Sequence, residues 1–357
     1  MSMQAESTQA ESKRAGLPAV MNLVDITTEQ PNEGLPPWRE PEWLNEVSAW
    51  IDEQLAAAGL VRAGAPALRA RTWSVVVRVP VEEGNVWFKA NPPGSAFEPG
   101  LLAALARWAP DMIPTPLAVD TARAWTLSKD AGTLLRDLLL RDPDPQHLRP
   151  LLRRYAQLQR ALVPRKQELL ALGLPDLRPQ VLPNRFEALL AQPLLRASLD
   201  EARYEELVAF TPRLREYCRE LAGLGIPASL DHGDLHPNNA FGQGEDALAF
   251  DWGDGSLAHP FCTLLILLRS ATEFFDADGL ATLRAAYLEP WLEDGYRAAD
   301  VERAADLAMR VAPISRAVAW RRVFACFADT VQPNENAARW LGRLLDEDPL
   351  NVGVVEG

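Results

Sequence analysis

Residues 231–239 read Asp-His-Gly-Asp-Leu-His-Pro-Asn-Asn, and this run holds two of the four histidines of the chain. Gly233 and Pro237 interrupt regular structure within it. Twelve residues after Asn239, the acid Asp251 ends a short apolar run. A carboxylate, an amide and a second carboxylate at these intervals predict a loop cluster that positions a hydroxyl and holds magnesium on a nucleotide.

Composition limits the class of protein around this cluster. The 357 residues suffice for two domains or one bilobed domain, and 48% hydrophobic with 24% charged residues is typical of a soluble globular chain. The formal net charge of −13 argues against nucleic acid as a partner, because a nucleic-acid footprint is basic. We expect no membrane partner either, because no apolar run approaches the roughly 18 residues of a membrane span.

Cysteine usage and the N-terminus indicate the compartment. Cys218, Cys262 and Cys326 form no Cys-x-x-Cys pair, and such an odd, sparse count favours a reducing compartment. Residues 1–16 are polar and lack the apolar core of a signal peptide. The sequence therefore predicts a cytoplasmic protein and leaves the oligomeric state open.

The pattern along the chain predicts an α+β fold in unequal parts. Residues 1–36 are expected to be a disordered leader, residues 37–130 a strand-rich part with a leading helix, and residues 131–350 a helical part. Within the second part, the β-branched and aromatic runs 73–79 and 86–90 predict a hairpin.

Further elements follow from local patterns. A second pair of short strands is predicted around 117–119 and 125–127. Long amphipathic helices are predicted at 147–163, 184–191, 203–223, 263–286, 298–326 and 335–346.

Four motifs occur in a set order. Lys89 ends a hairpin strand, Glu98 opens the next helix, a His-Gly-Asp-x-x-x-x-Asn loop spans 232–239, and an apolar run ends in Asp-Trp at 251–252. Together they resemble the aminoglycoside phosphotransferase and choline kinase superfamily of small-molecule kinases, of which this chain looks like a divergent member. The resemblance covers roughly residues 60–345. It implies a protein-kinase-like two-lobed fold, with a small antiparallel-sheet N-terminal lobe for nucleotide and a larger, mainly helical C-terminal lobe for the acceptor.

The same resemblance implies roles within the loop cluster. Asp234 would orient an acceptor hydroxyl and take its proton as the γ-phosphate of ATP is transferred. Asn239 and Asp251 match the amide and the acid that bind Mg²⁺ in this family. His232 matches a histidine that braces the loop, and His236 could line the acceptor site or contact the loop backbone.

The N-terminal part supplies the candidates for nucleotide binding. Lys89 matches the strand lysine that contacts the α- and β-phosphates, and Glu98 is its candidate ion-pair partner. A proline and a glycine follow at once, so Glu98 is expected at the start of its helix. No Gly-x-Gly-x-x-Gly precedes the hairpin, so Ser74, in a phosphate-covering segment at 69–75, is the candidate phosphate contact. Residues 126–130 match the hinge that binds adenine through backbone groups.

The leading interpretation is an ATP-dependent kinase acting on a hydroxyl of an amino sugar, an aminoglycoside-like antibiotic or an amino alcohol. The missing glycines leave open a non-catalytic nucleotide-binding pseudokinase. The spacing of His232, Asp234 and His236 leaves open, less readily, a metal-dependent hydrolase with zinc. Acidic residues of the later helices could attract an amine-bearing acceptor or form a solvated face: Glu273, Asp276, Asp278, Glu289 and Glu293.

Overall fold

The computed structural model describes residues 24–25, 38–71, 73–242, 244–323 and 331–350. Within the predicted leader it describes the short strand β1 (Val24–Asp25), which pairs in parallel with Ala67 and Leu68. The rest of that predicted leader and Cys326 lie outside the described residues. No helix among the described residues is long and apolar enough to cross a membrane.

A six-stranded sheet forms the strand-rich part. The strands after β1 are β2 (Ala67–Arg71), β3 (Ser74–Val81), β4 (Gly84–Ala90), β5 (Pro116–Asp120) and β6 (Trp125–Lys129). Their order is β1-β2-β3-β4-β6-β5, and every pairing except that of β1 with β2 is antiparallel. The predicted hairpin is confirmed as β3 and β4, and the predicted strand pair is confirmed as β5 and β6.

The connection from β2 to β3 differs from the prediction. Residues 69–75 were expected to form a loop, but β2 extends to Arg71, which lies opposite Ser74 in the strand register. In this strand, arginines alternate with the buried Leu68 and Ala70. The run is short and partly polar, so the sequence alone does not predict a strand here. The element is therefore a tight hairpin with Ser74 at its base.

The expected hinge also overlaps a strand. The central strand β6 pairs with β4 on one side and β5 on the other, and its ladder extends to Lys129. Of the segment 126–130, only Asp130 lies beyond these pairings, and its N–H still donates to Asn85 O of β4 at 3.2 Å. The segment is therefore paired within the sheet as far as the Asp130 N–H.

The helix α1 (Pro41–Ala57) packs against the sheet through aromatic rings. Trp50 lies edge-on to Phe88 and Trp125, with centroid distances of 5.8 and 5.6 Å. These rings belong to one buried core with Val75, Val77, Val79 and Val81 of β3. A proline at the first helical position begins this predicted leading helix, and Gly59, with φ of +68°, lies beyond its last turn.

The second core begins at α2 (Glu98–Trp108) and continues through the helical part. Its helices are α3 (Leu135–Arg141), α4 (Arg149–Leu162), α5 (Lys166–Ala171), α6 (Leu182–Leu190), α7 (Pro193–Ala197), α8 (Glu201–Gly223), α9 (Thr263–Ala271), α10 (Ala277–Leu292), α11 (Ala298–Val311), α12 (Pro313–Val323) and α13 (Val331–Gly342). Its short strands are β7 (Asp176–Leu177), β8 (Ser229–Asp231), β9 (Ala240–Phe241), β10 (Leu248–Ala249) and β11 (Ser256–Ala258).

Two of the predicted helices are each divided in two. The segment 263–286 breaks between α9 and α10, where the Asp276 carboxylate accepts a hydrogen bond from the Gly279 N–H at 3.0 Å and caps the second helix. The segment 298–326 breaks at Ala312, because Pro313 opens α12 and has no N–H to continue α11. Both breaks leave the apolar periodicity intact, which is why periodicity alone does not reveal them.

Paired short strands hold the two loops of the predicted cluster. The 231–239 loop follows β8 and the 250–255 loop precedes β11, and these strands pair antiparallel with Asp231 opposite Ser256. Between the loops, β9 and β10 pair antiparallel. Each loop is therefore anchored at both ends, and the fold places the two side by side.

Candidate active site

Lys89 occupies the middle of the sheet, between Val76 of β3 and Thr126 of β6 in register. Its ammonium Nζ lies 2.5 Å from Glu98 Oε2 and 2.6 Å from Asp251 Oδ1. Burial disfavours the charged ammonium, but the two carboxylates outweigh this effect and raise the pKa of Lys89. The structure thus brings together three residues that sequence analysis singled out.

Glu98 links this lysine to the second loop. It is the first residue of α2, as predicted, and its side chain is only 2% exposed. Its Oε1 accepts a hydrogen bond of 2.8 Å from the Trp252 backbone N–H. Burial raises the pKa of Glu98, and the Lys89 ammonium opposes this. The carboxylate therefore connects the sheet to the residue that follows Asp251.

Asp251 has a backbone conformation that is uncommon outside glycine, with φ of 64° and ψ of 67°. Its side chain remains 45% exposed, so its carboxylate is accessible to a ligand. Burial favours the neutral acid, but Lys89 outweighs it and lowers the pKa of Asp251. Ser95, which precedes α2, stabilises this strained part of the loop, because its Oγ donates a hydrogen bond to Gly253 O at 2.8 Å.

His232 connects the first loop to the second. Its Nε2 donates to Phe250 O at 2.9 Å, and its Nδ1 accepts from the Asp234 N–H at 3.3 Å. Its ring also packs on Trp252, with 4.6 Å between centroids. Burial lowers the pKa of His232, which favours the neutral ring that these two bonds require. Both ring nitrogens are therefore engaged within the loops.

Asp234 lies among cationic and polar groups. Its Oδ1 is 3.2 Å from Arg316 Nη2, and its Oδ2 is 3.4 Å from both His236 Nε2 and Asn239 Nδ2. Burial favours the neutral acid, but Arg316 and then His236 outweigh it and hold the pKa of Asp234 well below its usual range. The carboxylate is thus ionised, positioned and a weak base.

Asn239 is fixed by its amide nitrogen. Nδ2 donates to Asp234 O at 3.0 Å, and it also lies 3.2 Å from His236 Nε2. His236 itself caps the short helix Pro237–Asn239, because its Nδ1 accepts from the Asn238 N–H at 3.2 Å. With the nitrogen held by the loop, the amide oxygen of Asn239 points away from that bond and can accept a cation.

Ser74 stands apart from these residues. It is buried at the start of β3, two residues before Val76, the cross-strand neighbour of Lys89. Among the residues that the structure describes, no hydrogen bond joins Ser74 to Lys89, Asp234 or Asp251. Its position at the base of the hairpin is compatible with a phosphate contact, which stays a prediction.

The geometry does not favour a zinc hydrolase. In the described ranges, no group of three or more His, Cys, Asp or Glu side chains is placed to hold a metal ion. His232 uses both ring nitrogens in hydrogen bonds, so its ring has no nitrogen left for a metal. The cluster that looked like His-x-Asp-x-His ligation is an internal hydrogen-bond network around Asp234.

Magnesium on a nucleotide fits the residues present. Asp251 offers a partly exposed carboxylate and Asn239 an amide oxygen, both hard ligands. Mg²⁺ usually takes one or two protein ligands and completes its shell with phosphate and water, so a third acid is not needed. These two residues would hold the ion.

Arg316 and Asp254 are site residues that sequence analysis missed. Arg316 Nη1 donates to Gly233 O and to Asp254 Oδ2, both at 2.7 Å. A signal was present, since Arg316 is the one charged residue between Val311 and Trp320. An arginine at the centre of such an apolar stretch is expected to have a buried partner.

The comparisons with known proteins agree with this geometry. A profile of the phosphotransferase enzyme family matches residues 88–307, which is more than half of the chain. The chain belongs to this family. The matched range contains Lys89, Glu98, Asp234, Asn239 and Asp251. Membership supports a small-molecule phosphotransferase, and no curated protein matches the chain.

Three solved structures share the fold. The ethanolamine kinase of Plasmodium vivax is 13% identical, covers 90% of this chain and 98% of its own, and has a TM-score of 0.56. The choline kinase of Cryptosporidium parvum is 12% identical, with 79% and 87% covered and a TM-score of 0.52. The choline kinase of Streptococcus pneumoniae is 12% identical, with 83% and 99% covered and a TM-score of 0.51. The likeness confirms the predicted two-lobed, protein-kinase-like α+β fold.

Proposed function

We propose that this chain is an ATP-dependent phosphotransferase that moves the γ-phosphate of ATP to a hydroxyl of a small molecule. The convergence of Lys89, Glu98 and Asp251 carries the proposal, with 2.5 and 2.6 Å from the ammonium to the two carboxylates. Phosphoryl transfer in this fold needs a lysine–glutamate pair and a metal-binding aspartate in place together. A merely structural lysine would not require two carboxylates from distant parts of the chain.

Asp234 would place the acceptor hydroxyl in line with the phosphate. The acceptor oxygen forms a bond to the γ-phosphorus as the bond from that phosphorus to ADP breaks, and the hydroxyl proton passes to the carboxylate. Arg316 and His236 keep Asp234 ionised and therefore weakly basic. Its contribution would come mainly from orienting the hydroxyl, since positioning outweighs proton abstraction for so weak a base.

The other residues would hold the nucleotide. Asn239 and Asp251 would hold Mg²⁺, which would neutralise charge on the phosphates. Lys89 would contact the α- and β-phosphates, aimed by Glu98. Ser74, at the base of the β2–β3 hairpin, would add a contact above them. A cytoplasmic location, where ATP is supplied, belongs to the same proposal.

The acceptor would be an amino sugar, an aminoglycoside-like antibiotic or an amino alcohol. Three of the five acidic residues of the later helices already have a cationic partner. Glu273 pairs with Arg136, Glu289 with Arg153 and Glu293 with Arg160. We therefore expect recognition of the acceptor nearer to Asp234.

A coupled ADP-release screen tests the proposal. Purified protein with Mg-ATP is offered amino sugars, antibiotics and amino alcohols, and Mg-ATP binding is measured by calorimetry. We expect Asp234→Asn to abolish turnover while Mg-ATP affinity stays within about two-fold, because the carboxylate acts on the acceptor. Asp300→Asn, an acid in the first turn of α11, is the matched control and should keep full activity.

The outcomes separate the possible functions. Full activity in the Asp234→Asn variant would contradict the proposed mechanism. Binding of Mg-ATP by the wild-type protein without turnover across the panel would favour the non-catalytic pseudokinase. Absence of Mg-ATP binding would contradict both.

A further inference from the structure

Arg316 joins the two loops of the site from α12. Its Nη1 donates to Gly233 O and Asp254 Oδ2 at 2.7 Å, and its Nη2 lies 3.2 Å from Asp234 Oδ1. Only 12% of the side chain is exposed. The Arg316 guanidinium therefore contacts the Gly233 carbonyl and the Asp234 carboxylate of the 231–239 loop. It also contacts the Asp254 carboxylate of the 250–255 loop.

We infer that Arg316 is a positioning residue for phosphoryl transfer, which fixes the Asp234 carboxylate in front of the acceptor and ties the 231–239 loop to the 250–255 loop. The inference rests on the proposed function. Arg316 acts through Asp234 and is assigned no contact with substrate. It lies beyond residues 88–307, so the match to the family does not include it.

The contacts require the shape of arginine as well as its charge. A planar guanidinium presents several donors in a fixed fork, so it can reach a carbonyl and two carboxylates at once. The loops already touch through their backbones: a Cβ on Gly233, whose φ is +75°, would lie 2.5 Å from Asp254 O. Arg316 spans the same junction with its side chain. A lysine could keep the charge but has no planar fork.

The electrostatics of Asp234 depend on the same contact. Besides burial, the groups that act most on Asp234 are Arg316, His236 and His232. Burial raises the pKa of Asp234, and Arg316 is the largest opposing influence.

The test compares Arg316→Lys and Arg316→Met with Arg303→Lys. Arg303 is a matched control, because it also makes a two-pronged ion pair, with Glu220, but on an exposed surface. Each full-length variant is assayed for Mg-ATP affinity, for turnover, and for amide hydrogen exchange in residues 229–241 and 250–258. Turnover uses the acceptor found in the screen or, where none is found, hydrolysis of Mg-ATP.

We expect Arg316→Lys to fold, to bind Mg-ATP within about two-fold of wild type and to lose roughly 10²-fold in kcat. Arg316→Met should lose more, because methionine keeps neither the charge nor the hydrogen-bond donors. Hydrogen exchange should rise in both loops of Arg316→Lys and in neither loop of Arg303→Lys. If Arg316→Met does not fold, the lysine variant still decides the matter.

An Arg316→Lys variant with wild-type kcat and wild-type exchange would overturn the inference. A loss of kcat with unchanged exchange in both loops would overturn the positioning role as well. Failure of the proposed function looks different, because the wild-type protein itself would then bind no Mg-ATP. The exchange measurement needs no nucleotide and still decides whether Arg316 ties the loops together.

Discussion

Lys89 Nζ lies 2.6 Å from Asp251 Oδ1, although the two residues are 162 positions apart in the chain. Lys89 belongs to the sheet, and Asp251 belongs to a loop among the helices. The ion pair therefore joins the two parts of the molecule at the place proposed for the nucleotide phosphates. Glu98 completes the contact through the Trp252 N–H.

Replacing Lys89 should weaken nucleotide binding. We expect Lys89→Met to raise the Kd for Mg-ATP by about ten- to a hundred-fold, since a hydrogen bond to a charged group contributes about 1.5–3 kcal/mol. Isothermal calorimetry measures this directly, with circular dichroism to verify folding. Lys166→Met, at the start of α5 in the helical part, is the control and should leave Kd unchanged. Equal affinity for Mg-ATP in the two variants would contradict the assignment of Lys89 to the nucleotide site.

Asp251 should determine how binding depends on the metal. We expect wild-type affinity for ATP to fall when Mg²⁺ is removed with a chelator, because the ion bridges the protein and the phosphates. Asp251→Ala should weaken Mg-ATP binding by at least about ten-fold and show little further loss on chelation. Calorimetry with and without Mg²⁺ checks both. A variant that keeps the full magnesium effect would contradict the assignment of Asp251 as a ligand, and Asp300→Ala serves as control.

The sequence revealed most of this site because its residues lie in short local motifs. Asp234 and Asn239 share one loop, and Asp251 ends the next apolar run, so their order alone suggested their proximity. Lys89 and Glu98 are nine residues apart on consecutive elements. The resemblance to a kinase family assigned Lys89 and Asp251 to one nucleotide site, but the direct ion pair between them is seen only in the structure.

Residues whose roles depend on tertiary contacts were not found. Arg316 reaches Asp234 from α12, across 82 residues of sequence, and nothing in its neighbourhood names a partner. The strand β2 was hidden because its arginines face outward and it is only five residues long. The division of the long helices follows from a proline and an aspartate cap, which interrupt the hydrogen-bond ladder and leave the apolar stripe unchanged.

Gly233 should be intolerant of any side chain. Its φ of +75° strains an L-residue, and a Cβ there would lie 2.5 Å from Asp254 O. Gly225 is a matched control, because its φ is +80° and a Cβ added there would meet no heavy atom within 4 Å. We expect Gly225→Ala to lower the free energy of unfolding by about 1 kcal/mol, from backbone strain alone.

Gly233→Ala should cost about 1–3 kcal/mol more than this control, because the added methyl overlaps a carbonyl that the two-loop junction holds in place. Urea unfolding of both variants gives the difference. Equal losses in the two variants would show that the loops separate easily. The close approach of Gly233 to Asp254 would then not constrain the site.

Asp231 should make the stability of the fold depend on pH. It is 1% exposed, and its Oδ1 has no hydrogen-bond partner among the described residues. Burial raises its pKa to about 7, while the Gly233 N–H and Arg316 only partly oppose this. The Arg316 guanidinium already forms ion pairs with Asp234 and Asp254. If Asp231 were also ionised, its negative charge would have no cationic partner of its own.

The direction of the pH effect follows from the two pKa values of Asp231. The unfolded chain loses this proton near pH 4 and the folded chain near pH 7, so the folded state binds the extra proton between them. The stabilisation that protonated Asp231 contributes to the folded state is fully present below about pH 4 and is lost as the pH rises through about 7. Between pH 5.5 and 8.5 the loss should be on the order of 2 kcal/mol. Asp231→Asn should remove it, because the amide does not ionise.

Urea unfolding at several pH values isolates this contribution as the difference between wild type and Asp231→Asn. The difference is needed because His232 and His259, whose pKa values are lowered by burial, make stability rise with pH over part of the same range. The asparagine variant should gain stability relative to wild type as the pH increases, and Asp300→Asn should show no such trend. Parallel curves for wild type and Asp231→Asn would mean that Asp231 is ionised in the folded protein, and that Arg316 compensates three carboxylates at once.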